Sequence, residues 1–239
     1  MKTVRYQIAV TYRCNLRCSN CYQTFDVLPA GGEESDLTEE DIVESGKILA
    51  EAGIRPSKLR FTGGEPLLHP RLQGLYRLAK AHWDPVGHFR VYSSGVRGRP
   101  AGLGMAFKSP RKKVAFHDPL FISPADHEVP IVQGADSPCR FALGCGRGFD
   151  AYGFTPCCRA WSIGRLFGFD VHSRRPRLLG WGQLCEHCIY GVSPSDYAGL
   201  VASAKAGGMD YPSPSYRAAI EGRLKGGFLP TAKFAERRD

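Results

Sequence analysis

An α/β fold with a parallel sheet is predicted by three features of the sequence. Short β-rich runs alternate with amphipathic helical segments through the first hundred residues, glycine-containing turns follow the runs, and the intervening segments are long enough for crossovers. "RYQIAV" (5–10) is the first strand, and "LTEEDIVESGKILAEAG" (37–53) is a helix capped by Thr38, with acidic residues in its first turn and Gly53 beyond its end. "KLRFTGG" (58–64) is the second strand, "PRLQGLYRLAKAHW" (70–83) the second helix and "HFRVYSSG" (88–95) the third strand. This βαβαβ order places the cysteine loop after residue 10, "TGGEP" and "SSG" on one sheet edge, where ligands bind in such folds. Residues 96–113 are rich in Gly, Pro and charge and read as a loop; "VAFHDPLFIS" (114–123) reads as one more strand. The segment 124–138 is again irregular. A domain boundary is expected near 135, dividing the chain into 1–134 and 135–239, and helices near 195–206 and 214–225 close the second part.

Composition limits the function. Hydrophobic residues make up 43% of the 239 and charged residues 23%, ordinary for a globular protein. No segment approaches the roughly 20 apolar residues of a membrane span, and none has the pattern of a signal peptide. A cytoplasmic setting is expected, where nine cysteines serve as metal ligands rather than disulfides. The net charge of +9 favours an anionic partner, but "RKK" (111–113) and "RRPR" (174–177) are the only dense basic runs and read as solvated surface. No nucleic-acid partner is expected.

"TYRCNLRCSNCYQ" (11–23) carries Cys14, Cys18 and Cys21 on one short loop. Structural zinc sites close a set of four ligands. Three thiolates form an open set, which on a cubane iron–sulfur cluster leaves one iron for a small molecule.

"CNLRCSNC" followed by the aromatic Tyr22, and then "TGGEP" at the end of the next strand, resembles the radical S-adenosylmethionine (SAM) superfamily. The resemblance covers residues 4–95. It implies that Cys14, Cys18 and Cys21 hold a 4Fe-4S cluster whose open iron chelates the methionine part of SAM. It further implies that Gly63, Gly64 and Pro66 shape the SAM site, with Tyr22, Ser93 and Ser94 contributing, and that Glu65 accepts a hydrogen bond from the SAM amino group. A flavodoxin- or ferredoxin-like electron donor is implied as well. The fold implied is a truncated partial (β/α) barrel, because residues 66–138 are too few for the further units of a full one; about four or five strands and an open side are expected.

"CRFALGCGRGFDAYGFTPCC" and "LCEHC" supply Cys139, Cys145, Cys157, Cys158, Cys185 and Cys188. Their order resembles the twitch appendage of radical SAM enzymes, a shortened SPASM domain with a second, auxiliary 4Fe-4S cluster. On that resemblance Cys139, Cys157, Cys185 and Cys188 are the ligands, although Cys158 fits the usual glycine offset slightly better than Cys157. Cys145 is either an inert buried thiol or a catalytic one that returns a hydrogen atom to a substrate radical. His117 and Asp118 are either substrate contacts or a turn. Arg140 and Arg147 either meet a carboxylate or phosphate or lie on the surface.

The expected activity is hydrogen abstraction from a small polar molecule such as a sugar, aminocyclitol or nucleoside, ending in dehydrogenation or epimerization. The appendage resembles that of aminocyclitol dehydrogenases. The alternative is a maturase acting on a ribosomally made peptide, which a separate protein would present because no leader-binding domain precedes the cysteine loop. RNA modification and a non-catalytic electron-transfer protein are the remaining readings.

Overall fold

The computed structural model describes residues 2–95, 98, 100–107, 118–132, 140–176, 182–226 and 232–237. Its centre is one open six-stranded sheet. The strands are β1 (Lys2–Thr11), β2 (Ile54–Gly63), β3 (Phe89–Ser93), β4 (Met105–Phe107), β5 (Arg147–Asp150) and β6 (Gly153–Thr155), in spatial order β4-β3-β2-β1-β5-β6. All neighbours are parallel except the β5–β6 hairpin. Five parallel strands with no closure match the truncated, one-sided barrel expected.

The helix α1 (Glu39–Glu51) begins where the sequence predicts: Thr38 Oγ1 accepts from the Asp41 N–H, and the Asp41 carboxylate accepts from the Thr38 N–H. The helix α2 (Leu72–His82) lies beside it. Ile8, Val10, Leu59, Phe61 and Val91 turn one sheet face toward these helices and pack on Ile42, Leu49, Leu75, Ala79 and Trp83. The strand residues between them point the opposite way. In register, Gln7 lies beside Arg60 and Arg60 beside Arg90, so the other sheet face is polar and floors a cavity.

Beyond β4 come α3 (Arg140–Cys145), α4 (Ala160–Phe167), α5 (Gly182–Glu186), α6 (Pro194–Lys205) and α7 (Pro214–Gly226). The last two fall where the sequence places them, and Ser193 caps α6 by accepting from the Asp196 N–H.

Two readings change. Residues 114–117 of the expected fourth strand lie outside the described residues, and 118–123 are not a strand. Pro119 lacks an N–H, and the buried backbone that follows is satisfied elsewhere: Leu120 N–H donates to Tyr211 Oη, Ser123 N–H to Ser213 Oγ, and Phe121 C=O accepts from Ser213 N–H. The fourth strand is instead Met105–Phe107, inside the segment read as loop. The expected boundary near 135 lies outside the described residues; β5, from beyond it, pairs with β1.

Candidate functional site

The cysteine loop follows β1 and is seated on the end of β2. Gly64 N–H donates to Thr11 O and Glu65 N–H to Arg13 O. A Cβ on Gly64 would lie 1.9 Å from Arg13 O; Gly63 has φ +129°, and its Cβ would lie 2.3 Å from Thr11 O. The two glycines therefore let the cysteine loop itself approach, a tighter requirement than ligand access alone.

Glu65 is 1% exposed, and its carboxylate joins two strand ends. Oε1 accepts from Ser93 Oγ (2.7 Å) and Leu67 N–H (3.2 Å); Oε2 accepts from Ser94 N–H (2.8 Å) and Ser94 Oγ (2.5 Å). Four donors fill the acceptor positions of a carboxylate. Glu65 thus ties "TGGEP" to "SSG", and Pro66 opens the short 3-10 turn that follows.

Cys14, Cys18, Cys21, Tyr22, Gly63, Gly64 and Ser93 line one cavity of about 200 Å³ at the C-terminal edge of the parallel strands. Gln7, Arg60, Thr62 and Tyr92 line its sheet face. Among the described residues no three Cys, His, Asp or Glu side chains converge on a single ion position. Three thiols on one cavity are the donor type that an iron–sulfur cluster takes, and burial pushes the Cys21 thiol up.

The second cysteine set divides. Cys145 and Cys158 line the same cavity; Gln7 Nε2 donates to Cys145 Sγ at 2.7 Å, and burial, then hydrogen bonding to Cys145, pushes the Cys158 thiol up. Cys157 packs instead in an apolar cluster with Cys188, and Cys185 O accepts from Cys188 N–H. Cys139 and His117 lie outside the described residues, as does the Arg140 side chain. Asp118 accepts from Tyr197 Oη (2.7 Å) and Lys205 Nζ (2.6 Å) and does not line the cavity. Arg147 is buried on β5, not a surface charge; burial lowers its pKa, opposed by Tyr6 and Cys157. Arg174, from the basic run, pairs with Glu44 and donates to Phe234 O.

Gln7, Arg60 and Trp161 are cavity residues that the sequence reading missed. Arg60 had a usable signal: in "KLRFTGG" it alternates with Leu59 and Phe61, so it faces away from the helices.

Behind the loop, Tyr12 Oη donates to Asp150 Oδ2 (2.5 Å), which is also 3.0 Å from His172 Nε2. Burial opposes a charge on His172, but Asp150, with help from Asp170, outweighs it and raises the pKa. A raised folded-state pKa contributes stability that is full below the unfolded value of about 6.5 and is lost as pH rises through the folded value. Thermal unfolding should therefore show a midpoint that falls as pH is raised through and above neutrality, and Asp150→Asn should flatten that slope. An unchanged slope in the variant would remove His172 as its source.

The three-thiol loop and the diglycine strand end of an open α/β sheet thus meet over one cavity. Residues 8–107 match the family described as the radical SAM superfamily. That family implies a 4Fe-4S cluster and SAM. The chain is 45% identical to a GTP 3',8-cyclase of Chlorobaculum tepidum over 82 residues, 34% of this chain and 23% of the relative. It is 43% identical to a GTP 3',8-cyclase of Aquifex aeolicus over 94 residues, 38% of this chain and 27% of the relative. The matched stretch thus spans about a quarter of those curated relatives. A solved structure of BtrN in complex with AdoMet and 2-DOIA aligns over 87% of this chain and 89% of that chain, with a TM-score of 0.44 and 12% identity. No helix of the described residues is long and apolar enough to cross a membrane.

Proposed function

We propose that the chain is a radical SAM enzyme acting on a small polar substrate in the cavity bounded by Cys14, Cys18, Cys21, Gly63, Gly64 and Ser93. The meeting of both motifs in one cavity carries this reading. Cys14, Cys18 and Cys21 hold the cluster, and Gly63, Gly64 and Ser93 border SAM. Glu65 positions Ser93 and Ser94, and Tyr22, hydrogen-bonded to Tyr190 Oη at 2.8 Å, closes one wall. When bound, the cluster and SAM supply a 5'-deoxyadenosyl radical that removes a substrate hydrogen. The protein's part is orientation and exclusion of water.

The cavity wall narrows the substrate. Arg60 lines it, stacked over the Tyr92 ring at 5.4 Å, and no Asp or Glu does so among the described residues. An anionic substrate such as a nucleotide suits this lining better than a cationic aminocyclitol, in keeping with relatives named GTP 3',8-cyclase. Dehydrogenation, epimerization and cyclization all begin with the same abstraction. In an epimerization Cys145 is the hydrogen donor: its S–H breaks, a substrate C–H forms, and an electron from the flavodoxin- or ferredoxin-like donor with a proton from solvent restores the thiol. Cys157, Cys185 and Cys188, with Cys139, hold the auxiliary cluster; the shared packing of Cys157 and Cys188 favours Cys157 over Cys158.

Anaerobic reconstitution should give roughly eight irons per chain, and reduction in the presence of SAM should release 5'-deoxyadenosine. Changing Cys14, Cys18 and Cys21 together to Ala should halve the iron and abolish 5'-deoxyadenosine. Full iron content in that variant would refute the ligand assignment, and no 5'-deoxyadenosine from the loaded wild type would refute the reaction.

A further inference from the structure

Thr24, three residues after Cys21, is fully buried and holds left-handed backbone with φ +61°. A β-branched residue rarely adopts that conformation, and it persists where the surroundings impose it. Asn20, just ahead of Cys21, has φ +55° as well. The stretch that carries Cys21 therefore does not take its path from its own preferences. Arg165, on α4, supplies a constraint from outside. Its Nη1 donates to Gln23 O (2.9 Å) and its Nη2 to Pro29 O (3.1 Å). Its guanidinium carbon lies 5.2 Å from the centre of the Phe25 ring and 5.2 Å from that of Tyr12. Gln23 and Phe25 are the two neighbours of Thr24, and Tyr12 stands two residues before Cys14. One side chain thus grips both ends of the thiol loop and both sides of its strained residue. The helix beneath it is firmly seated: Trp161 packs with Cys14, Cys21 and Cys158, while Ala160 and Ile163 pack in a separate cluster with Cys188. Arginine suits the place because its planar fork can bond two carbonyls and still lie over aromatic rings, which the point charge of a lysine cannot do.

We propose that Arg165 is the positioning residue of the N-terminal thiol loop: it imposes the backbone path through Cys21 that presents the three thiols to the cavity, and so fixes where SAM meets the cluster. Arg165 is not among the residues that line the cavity, so it acts through the loop and not on a ligand. The inference rests on the cluster reading above, and the first of its two measurements does not need that reading.

That measurement is hydrogen–deuterium exchange of the full chain before iron is added. The reporters are the amides of Thr24, Leu28 and Gly31, which donate to Cys21 O, Thr24 O and Tyr12 O. Arg165→Lys keeps the charge and loses the fork, and it should speed exchange at these amides about tenfold while the amides of α1 and β2 keep their wild-type rates. Unchanged exchange at the three amides would overturn the proposal. So would a rise shared with α1 and β2, which a general loss of stability produces. Arg165→Gln gives the same comparison without the charge; failure of both variants to fold would also overturn the positioning role, by making Arg165 a support of the whole fold. In the reconstituted holoenzyme, 5'-deoxyadenosine formation titrated with SAM should show an apparent KM raised about tenfold in Arg165→Lys, with kcat changed far less. A displaced loop alters how SAM is met, whereas a smaller folded fraction lowers kcat alone, so a lowered kcat at unchanged KM would overturn the proposal. No 5'-deoxyadenosine from the loaded wild type would overturn the cluster reading instead, and the exchange rates would then decide the grip of Arg165 on the loop.

Discussion

Gly64→Ala is expected to abolish 5'-deoxyadenosine formation and to leave the chain unable to retain the N-terminal cluster. The added Cβ would fall 1.9 Å from Arg13 O and 3.1 Å from the Cys14 Cβ. The first obstacle is backbone, which no rotamer change can clear. To make room, the loop must move off the end of β2 and give up the hydrogen bonds Gly64 N–H to Thr11 O and Glu65 N–H to Arg13 O. Two lost backbone bonds and a displaced loop cost roughly 2 to 4 kcal/mol, a large share of the 5 to 15 kcal/mol that holds a typical domain together. Iron analysis of the reconstituted variant checks this directly: a loss of about half the iron is expected. Wild-type iron and turnover would show that the loop tolerates the shift.

The second large effect is expected at Glu65. Its carboxylate accepts four hydrogen bonds inside the protein, from Ser93, Ser94 and Leu67. Glu65→Ala leaves those donors without acceptors in a site from which water is excluded. The unfolding free energy should drop by roughly 3 kcal/mol or more, because each stranded buried donor costs about 1 to 3 kcal/mol. Glu65→Gln should lie between, since it keeps the shape but turns one acceptor into a donor that faces donors. SAM affinity should fall in both variants through displacement of Ser93. A variant that binds SAM weakly yet unfolds as the wild type does would instead give Glu65 a direct contact with the ligand and no structural part.

The first hundred residues were legible because their signals are local. The Thr38–Asp41 capping box, the apolar spacing of 70–83 and the β-rich runs each declare an element without help from distant residues. The polar floor of the cavity was legible in principle from the alternation that sets Arg60 against Leu59 and Phe61. The hairpin β5–β6 was not, since strands of four and three residues rich in glycine show no period, and their place beside β1 depends on a partner far away in sequence. The run 118–123 looked like a strand because it is apolar and buried, yet its hydrogen bonds go to Tyr211 and Ser213. The division of Cys157 from Cys158 was likewise beyond a linear reading: these adjacent residues pack in different clusters, Cys158 beside Cys145 and Cys157 beside Cys188.

The pairing of β5 with β1 also fixes an order of events during synthesis. The strand that leads into the first cysteine loop has β2 on one side and waits for Arg147–Asp150 on the other. Until residue 150 has left the ribosome, β1 is a bare sheet edge, and Asp150 is missing from Tyr12, two residues ahead of Cys14. Because a contact of such long sequence separation closes late, the nascent chain displays its three motif thiols well before their supporting wall exists. The wall behind the cysteine loop is thereby tied to synthesis of residues 147–150, and a chain stalled short of residue 147 would expose the three thiols beside an unpaired strand.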